Sequence, residues 1–373
     1  MRTLVNLRLP LNRTNFLATA LILLAQGCAK HQPPPNETTT VSSSEAEQAP
    51  ILPAISANIY STSPTNPRDP MVANAANGVE WDEALSGAAA NLAIDLSSGT
   101  PIDSASVRWA GLKAGWPYPI SHVGMELVAH QSECPRSLLE SIPAHTHVGI
   151  ARARGATADA WVILSSTNET LASPFSKQQP INSVFEIPYS NPEGLILRGY
   201  GATGDLQSGT NITFDHEGEW VVEVYSQQAL ILRAAIYVDG ESPDYAPIEA
   251  VEPNLDNIDD EILMMINEVR GHFVDGNVRA EPILTSTSQR SLNGWINEGA
   301  PAQSIEGLGS ITLTGAPPAE LFCIGATPRS CVDQIYWSAT HRGPLLNANY
   351  TGAGVSSEVI DGTIHAVIHL AGQ

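Results

Sequence analysis

The chain has 373 residues, 18 Lys and Arg against 39 Asp and Glu, a formal net charge of −21 and 43% hydrophobic residues. That length allows two or three domains with ample core, and the apolar share argues against a wholly disordered chain. The acidity argues against a nucleic-acid partner, which would need Lys and Arg to displace counterions from phosphate, and against docking on anionic lipid through a basic patch. With 15% charged residues, 29 Gly and 27 Pro, turns should be many and long solvated helices few.

Residues 1–27 read as a targeting segment. Arg2, Arg8 and Arg13 supply the positive start, and Phe16 to Ala25 form an apolar run too short to span a bilayer, which takes about 20 residues. The run ends Leu24-Ala25-Gln26-Gly27-Cys28, which resembles a bacterial lipobox. The resemblance implies acylation of Cys28 and removal of what precedes it; an ordinary cleaved signal is the other reading. Removal takes away three Arg and no acid and leaves a charge of −24. Ala29 offers no inner-membrane retention signal, so the expected place is the outer membrane or cell surface. Residues 28–75, with Pro33-Pro34-Pro35 and runs of Thr and Ser, read as a disordered tether.

Residues 76–170 read as an α+β module. Trp81, Leu85, Ala88, Leu92 and Leu96 follow helical spacing over 80–97, ended by Ser98-Gly99, and Asp103 can cap a second helix to Gly115. A strand at 124–129, a short helix at 135–141 and strands at 147–153 and 160–164 follow. Residues 171–245 hold five short strands between Asn-Pro, Gly-Asp, Ser-Gly and Glu-Gly turns and read as a β-sandwich. There, Gly218 to Val224 resembles the closing strand of an immunoglobulin-like domain. Residues 246–255 read as a linker. The last module, 256–373, should hold helices at 256–270, at 286–297 and from an N-cap at Ser330 to Ala339. A terminal hairpin turning at Asp361-Gly362 should close it.

This last module resembles the bacterial CAP superfamily, also called SCP-like domains. The resemblance rests on Trp337-Ser338-Ala339-Thr340-His341-Arg342-Gly343-Pro344-Leu345-Leu346, on Asn349-Tyr350-Thr351-Gly352-Ala353-Gly354-Val355 and on Ile266-Asn267-Glu268-Val269-Arg270. It implies an α-β-α sandwich with a cavity lined by two His and acidic residues that bind a metal in some members. His341 matches one His and Glu320 the acid, and Arg342 follows in the motif. Leu321 replaces the Asn after that acid, and no His lies between Ile296 and Ser338. A transition-metal site takes three or four ligands, so neither a metal nor another cofactor is expected. Trp81 to Gly99, His147 to Ala151 and Trp161 to Leu164 resemble parts of the same pattern, which would make residues 76–170 a degenerate CAP-like copy.

Other chemistry is sparse. Cys323 and Cys331 enclose a short loop and can form a disulfide in an oxidising compartment, with Cys134 left over; three reduced cysteines are the alternative. His145 and His147 share a strand face, as do His365 and His369, and both pairs read as packed faces more than ligand pairs. Asp256, Asp259 and Asp260 suit a helix N-terminus without calcium. The fold class is therefore α+β, multi-domain. The expected role is a lipid-anchored envelope module that binds an envelope lipid, polysaccharide or protein without catalysis. A hydrolase using Glu320 and His341 as an acid/base pair is the competing reading, and a structural spacer the third.

Overall fold

The computed structural model describes residues 4–7, 56–63, 80–130, 134–142, 147–167, 171–202, 205–243, 246–250, 253, 255–298 and 317–372. Cys28, His145 and most of the expected tether lie outside them. The fold is mixed α+β, with seven helices and several sheets among the described residues.

In the first module, strands β1 (Leu4–Leu7), β2 (Ile59–Tyr60) and β3 (Glu80–Trp81) precede helices α1 (Glu83–Ser98) and α2 (Ser104–Ala114). Then come β4 (His122–Val128), α3 (Arg136–Glu140), β5 (His147–Arg154) and β6 (Asp159–Ser166). The sheet order is β1-β4-β6-β5-β3. Of the expected leader only β1 is described, paired antiparallel along β4. Helix α1 begins later than its apolar spacing predicts. Asp82 caps it by accepting from Ala84 N at 2.8 Å and Leu85 N at 3.0 Å, and that leaves Trp81 in the strand. Gly99 ends α1 at φ 81°, and Asp103 with Ser106 closes a capping box on α2.

The middle module contains β7 (Phe175–Ser176), β8 (Gln178–Gln179), β9 (Val184–Glu186), β10 (Leu195–Tyr200), β11 (Gln207–Gly209), β12 (Asn211–Thr213), β13 (Gly218–Ser226) and β14 (Ala229–Val238). Strands β11-β10-β13-β14-β8 form one sheet, and β9 and β12 form a separate ribbon. Phe185 and Phe214 from the ribbon side meet Trp220 of the sheet in a chain of ring contacts.

The last module runs through α4 (Ile258–Gly271), β15 (Arg279–Ala280), α5 (Pro282–Glu298), β16 (Ala319–Gly325), α6 (Pro328–Tyr336), α7 (Ala339–Leu346), β17 (Gly352–Ile360) and β18 (Thr363–Ala371). Its sheet order is β15-β17-β18-β16. Helix α6 starts at N-cap Thr327 with Pro328 in its first turn, not at Ser330. Ser330 is instead the third helical residue, and its hydroxyl closes the capping box by accepting from Thr327 N at 2.9 Å. The expected single helix to Ala339 breaks at Trp337-Ser338 and restarts as α7. Strand β16 was not anticipated.

The first and last modules share a wiring. In each, a two-residue strand leads into a helix and pairs parallel with the first strand of a hairpin, and the hairpin's second strand pairs antiparallel with one further strand. Register matches as well. Trp81 faces Val148 as Ala280 faces Ala353, and the next hairpin residue is glycine in both, Gly149 and Gly354. A Cβ on Gly149 would meet the Leu85 carbonyl carbon at 2.1 Å, and one on Gly354 the Leu284 carbonyl carbon at 2.0 Å. Leu85 and Leu284 each stand four residues past their strand's last paired residue. Both helices therefore press backbone to backbone on the sheet at one point that only glycine permits.

The modules are not strung on linkers. One continuous buried core runs through all three. Within the expected tether, Tyr60 is buried and its hydroxyl donates to Ala235 O at 3.1 Å while accepting from Ala235 N at 2.9 Å. Composition averaged over 28–75 conceals this one anchoring ring. Lys177 lies buried over the Tyr60 ring, 4.9 Å from its centroid, and donates to Lys113 O at 2.9 Å at the end of α2, where the helix dipole favours a cation. Burial pushes this ammonium down to about 7. In the expected linker, Ile248 is buried and its carbonyl accepts from Arg329 Nε at 3.0 Å.

Gly354→Ala should destabilise by about 3 kcal/mol or more, since the clash is with backbone that cannot rotate away. Gly294→Ala in α5, where a Cβ meets nothing within 4 Å, should stabilise by about 0.5–1 kcal/mol. Urea unfolding of the two variants checks the opposite signs.

Candidate functional site

Strand β16 alternates. Glu320, Phe322 and Ile324 face α5, while Leu321 and Cys323 enter the core beside α6. Helix α5 presents Thr287 and Ser291, one turn apart, to the same place, and β18 presents His369. His369 is fully buried. Its Nε2 lies 2.7 Å from Glu320 Oε2 and 3.5 Å from Ser291 Oγ, and its Nδ1 lies 2.8 Å from Thr287 Oγ1. Thr287 donates its own hydroxyl to Leu284 O at 2.9 Å, so it accepts from Nδ1–H. Nε2 and Oε2 then face each other across one shared proton. The other carboxylate oxygen, Oε1, is buried with no partner among the described residues. Next to this group Ser288 and Ser356 hydroxyls meet at 2.7 Å.

The first module shows that the fold does not demand this polarity. By the shared register, Thr287, Ser288, Ser291, Glu320, Ser356 and His369 stand where the first module has Ala88, Ala89, Leu92, Val123, Ala151 and Leu164, all buried and apolar. One scaffold thus carries two interiors.

His341 is elsewhere. It is half-buried at the start of α7. Burial lowers its pKa from the usual 6.5, with Glu223 opposing and Arg233 assisting. Those partners belong to β13 and β14, whereas Glu320 faces α5, and among the described residues no hydrogen bond or ion pair joins Glu320 to His341. The acid/base pairing drawn from the motif is therefore not assembled here: Glu320's imidazole partner is His369.

Arg342, also fully buried, holds the modules together. Its Nη2 lies 2.9 Å from Glu219 Oε1, and its guanidinium sits 4.2 Å from the Tyr336 ring centroid and 5.1 Å from that of Phe273. Tyr336 donates its hydroxyl to the same Glu219 oxygen. Four residues along β13, Glu223 accepts from Arg233 Nε at 2.9 Å and Nη2 at 2.6 Å, from Tyr225 Oη at 3.1 Å and from Ala339 N at 3.0 Å. A carboxylate of the middle sheet thereby caps α7, where Ser338 makes no side-chain cap. Two acids in the apolar run Gly218 to Val224 were the available sequence signal, because a buried carboxylate must find a partner. The Asn267 and Arg270 of the motif are clamps too. Asn267 exchanges two hydrogen bonds with Val278, and Arg270 donates to the carbonyls of Leu345, Asn347 and Tyr350.

Cys323 of β16 and Cys331 of α6 form a disulfide across 5.1 Å between Cα atoms, and Cys134 is buried. His365 lies against the Trp295 ring, and His147 faces Glu80 at 3.5 Å. Asp259 accepts from Ser357 Oγ at 2.5 Å and Asp260 from Asn257 Nδ2 at 2.6 Å, so the helix-start acids are engaged locally. Among the described residues no three His, Cys, Asp or Glu side chains converge as metal ligands, and no helix is long and apolar enough to cross a membrane.

No family model and no curated protein matches the chain. Three solved structures are similar at low level. An outer surface protein from Borrelia burgdorferi has 11% identity and a TM-score of 0.29, covering 32% of this chain and 96% of that one. A cysteine-rich secretory protein from Staphylococcus aureus has 12% identity and a TM-score of 0.27, covering 68% of this chain and 85% of that one. An extracellular protein containing an SCP domain, from Bacillus anthracis, has 12% identity and a TM-score of 0.28, covering 73% of this chain and 93% of that one. Likeness at this level assigns no activity.

His369→Leu alone strands the Glu320 carboxylate in the interior and should cost about 3–5 kcal/mol. Glu320→Val with His369→Leu, the pair found in the first module, should recover most of that loss in a double-mutant cycle by urea unfolding. His341 carries a pH signature. Its folded pKa lies below the unfolded one, so as pH falls through about 6.5 the unfolded chain gains a proton that the folded state resists. Stability should decline there, and His341→Asn should flatten that part of the profile.

Proposed function

We propose that this chain is an exported, lipid-anchored envelope protein, its C-terminal module a degenerate CAP/SCP-like domain that binds a partner without catalysing a reaction. The observation that carries the non-catalytic reading is the placement of Glu320. Its carboxylate is spent on a fully buried imidazole, with 3% of its own side chain exposed, and His341 faces different elements. A hydrolase would need that acid and base in one accessible cavity. The motif residues Asn267, Arg270 and Arg342 all make structural bonds, so the part of the CAP pattern that persists is the part that holds the fold.

The anchor reading rests on Arg2, Arg8 and Arg13, the apolar run and Cys28. The charge of −24 left after cleavage favours folded modules that stand off an anionic membrane. The partner is an envelope lipid, polysaccharide or protein, not a nucleic acid. Membrane fractionation and metabolic fatty-acid labelling test the anchor. The native chain should partition with membranes and take up label, and Cys28→Ser should release it to the soluble fraction. Retention of Cys28→Ser in the membrane would end the lipoprotein reading. For the binding role, hydrolysis of an envelope substrate that is lost in His341→Ala would favour the enzyme.

A further inference from the structure

We infer that a cleft between the middle and last modules binds a small primary alkylammonium group. The cleft measures about 240 Å³ and lies where the ends of β13 and β14, the segment after β14, the end of α4 and α6 come together. Its walls include the rings of Tyr237, Phe273 and Tyr336, its carboxylates are Glu219 and Glu241, and His272 lies alongside. This site uses neither Cys28 nor Glu320, and it stands or falls independently of the anchor.

Three features select the ligand. The first is the acceptor at the base. Glu219 is 7% exposed, and both of its described contacts, from Tyr336 and Arg342, fall on Oε1. Oε2 carries no described partner on a residue that lines the cleft. That oxygen is not sealed from solvent, so it is open to the cleft, where a protonated amine can donate to it. The second is the aromatic lining. Phe273 and Tyr336 already take one cation, the Arg342 guanidinium, and Phe273 is partly exposed, so ring surface remains for an alkylammonium. The third is charge and size. Two carboxylates line the cleft against the one buried Arg342, in a chain of net charge −21, which disfavours an anion. The volume falls below the range of about 300–1,000 Å³ usual for drug-sized ligands and suits one amine with a short apolar stem. A quaternary ammonium fits the rings but cannot donate to Oε2, which favours the primary amine.

The test is titration of the full chain with butylammonium, tetramethylammonium and butanol, followed by calorimetry and ligand-observed NMR. Butylammonium should bind saturably with a Kd of about 1 mM, tetramethylammonium more weakly, and butanol not measurably. Glu219→Gln disturbs the Arg342 anchor and can unfold the protein. Glu241→Gln and Phe273→Leu are therefore the deciding variants, and each should weaken butylammonium about fivefold while the fold, checked by circular dichroism, persists. Absence of saturable butylammonium binding to the folded chain would overturn the proposal. So would unchanged affinity in both variants, or tetramethylammonium binding as tightly.

Discussion

The arrangement of the molecule depends on two carboxylates of one strand. Glu219 and Glu223 lie in β13, at the centre of the middle sheet, and neither can stay there ionised without partners. Glu219 finds the Arg342 guanidinium and the Tyr336 hydroxyl, and Glu223 finds Arg233 and the first amide of α7. All but Arg233 come from the last module. Their burial requires the last module to be docked, so the interface follows from electrostatics as well as apolar area. Arg329 and Thr327 of the last module reach Asp103 of the first, and Trp109 stacks on Trp337, which ties the third body in.

The repeated wiring of the first and last modules separates what this fold requires from what it tolerates. Both need the glycine where helix backbone meets strand, and both need the short parallel strand that leads into that helix. The interior beside the glycine is free to differ. Apolar residues fill it in the first module and a hydroxyl–imidazole–carboxylate group fills it in the last. Removing one partner of such a group costs more than replacing the whole group with apolar residues.

Much of the local structure was legible. Gly99 and Gly115, with Asp103, mark helix ends in the way their side chains or lack of them dictate, and Asp361-Gly362 turns the final hairpin with φ of 52° and 76°. The departures have physical causes. Trp81 fits a helical stripe, yet the Asp82 side chain captures the amides of Ala84 and Leu85 and moves the start. Ser338 breaks a continuous apolar pattern because the α7 amide bonds Glu223 from a strand more than a hundred residues earlier. Strand β16 is not legible in the sequence because its α5 face mixes a carboxylate with Phe322 and Ile324, which blurs the alternation.

By itself, the sequence determined the charge, the α+β class and most of the helix ends and turns. These follow from local composition, spacing and capping, which act within a few residues. Only the tertiary structure decided that Glu320 is taken by His369, that His341 and Arg342 turn towards the middle sheet, and that Tyr60 belongs to the core. Each depends on which buried group satisfies which other across tens to hundreds of residues. No local pattern encodes that pairing, because burial sets the need for a partner and the packed fold alone selects it.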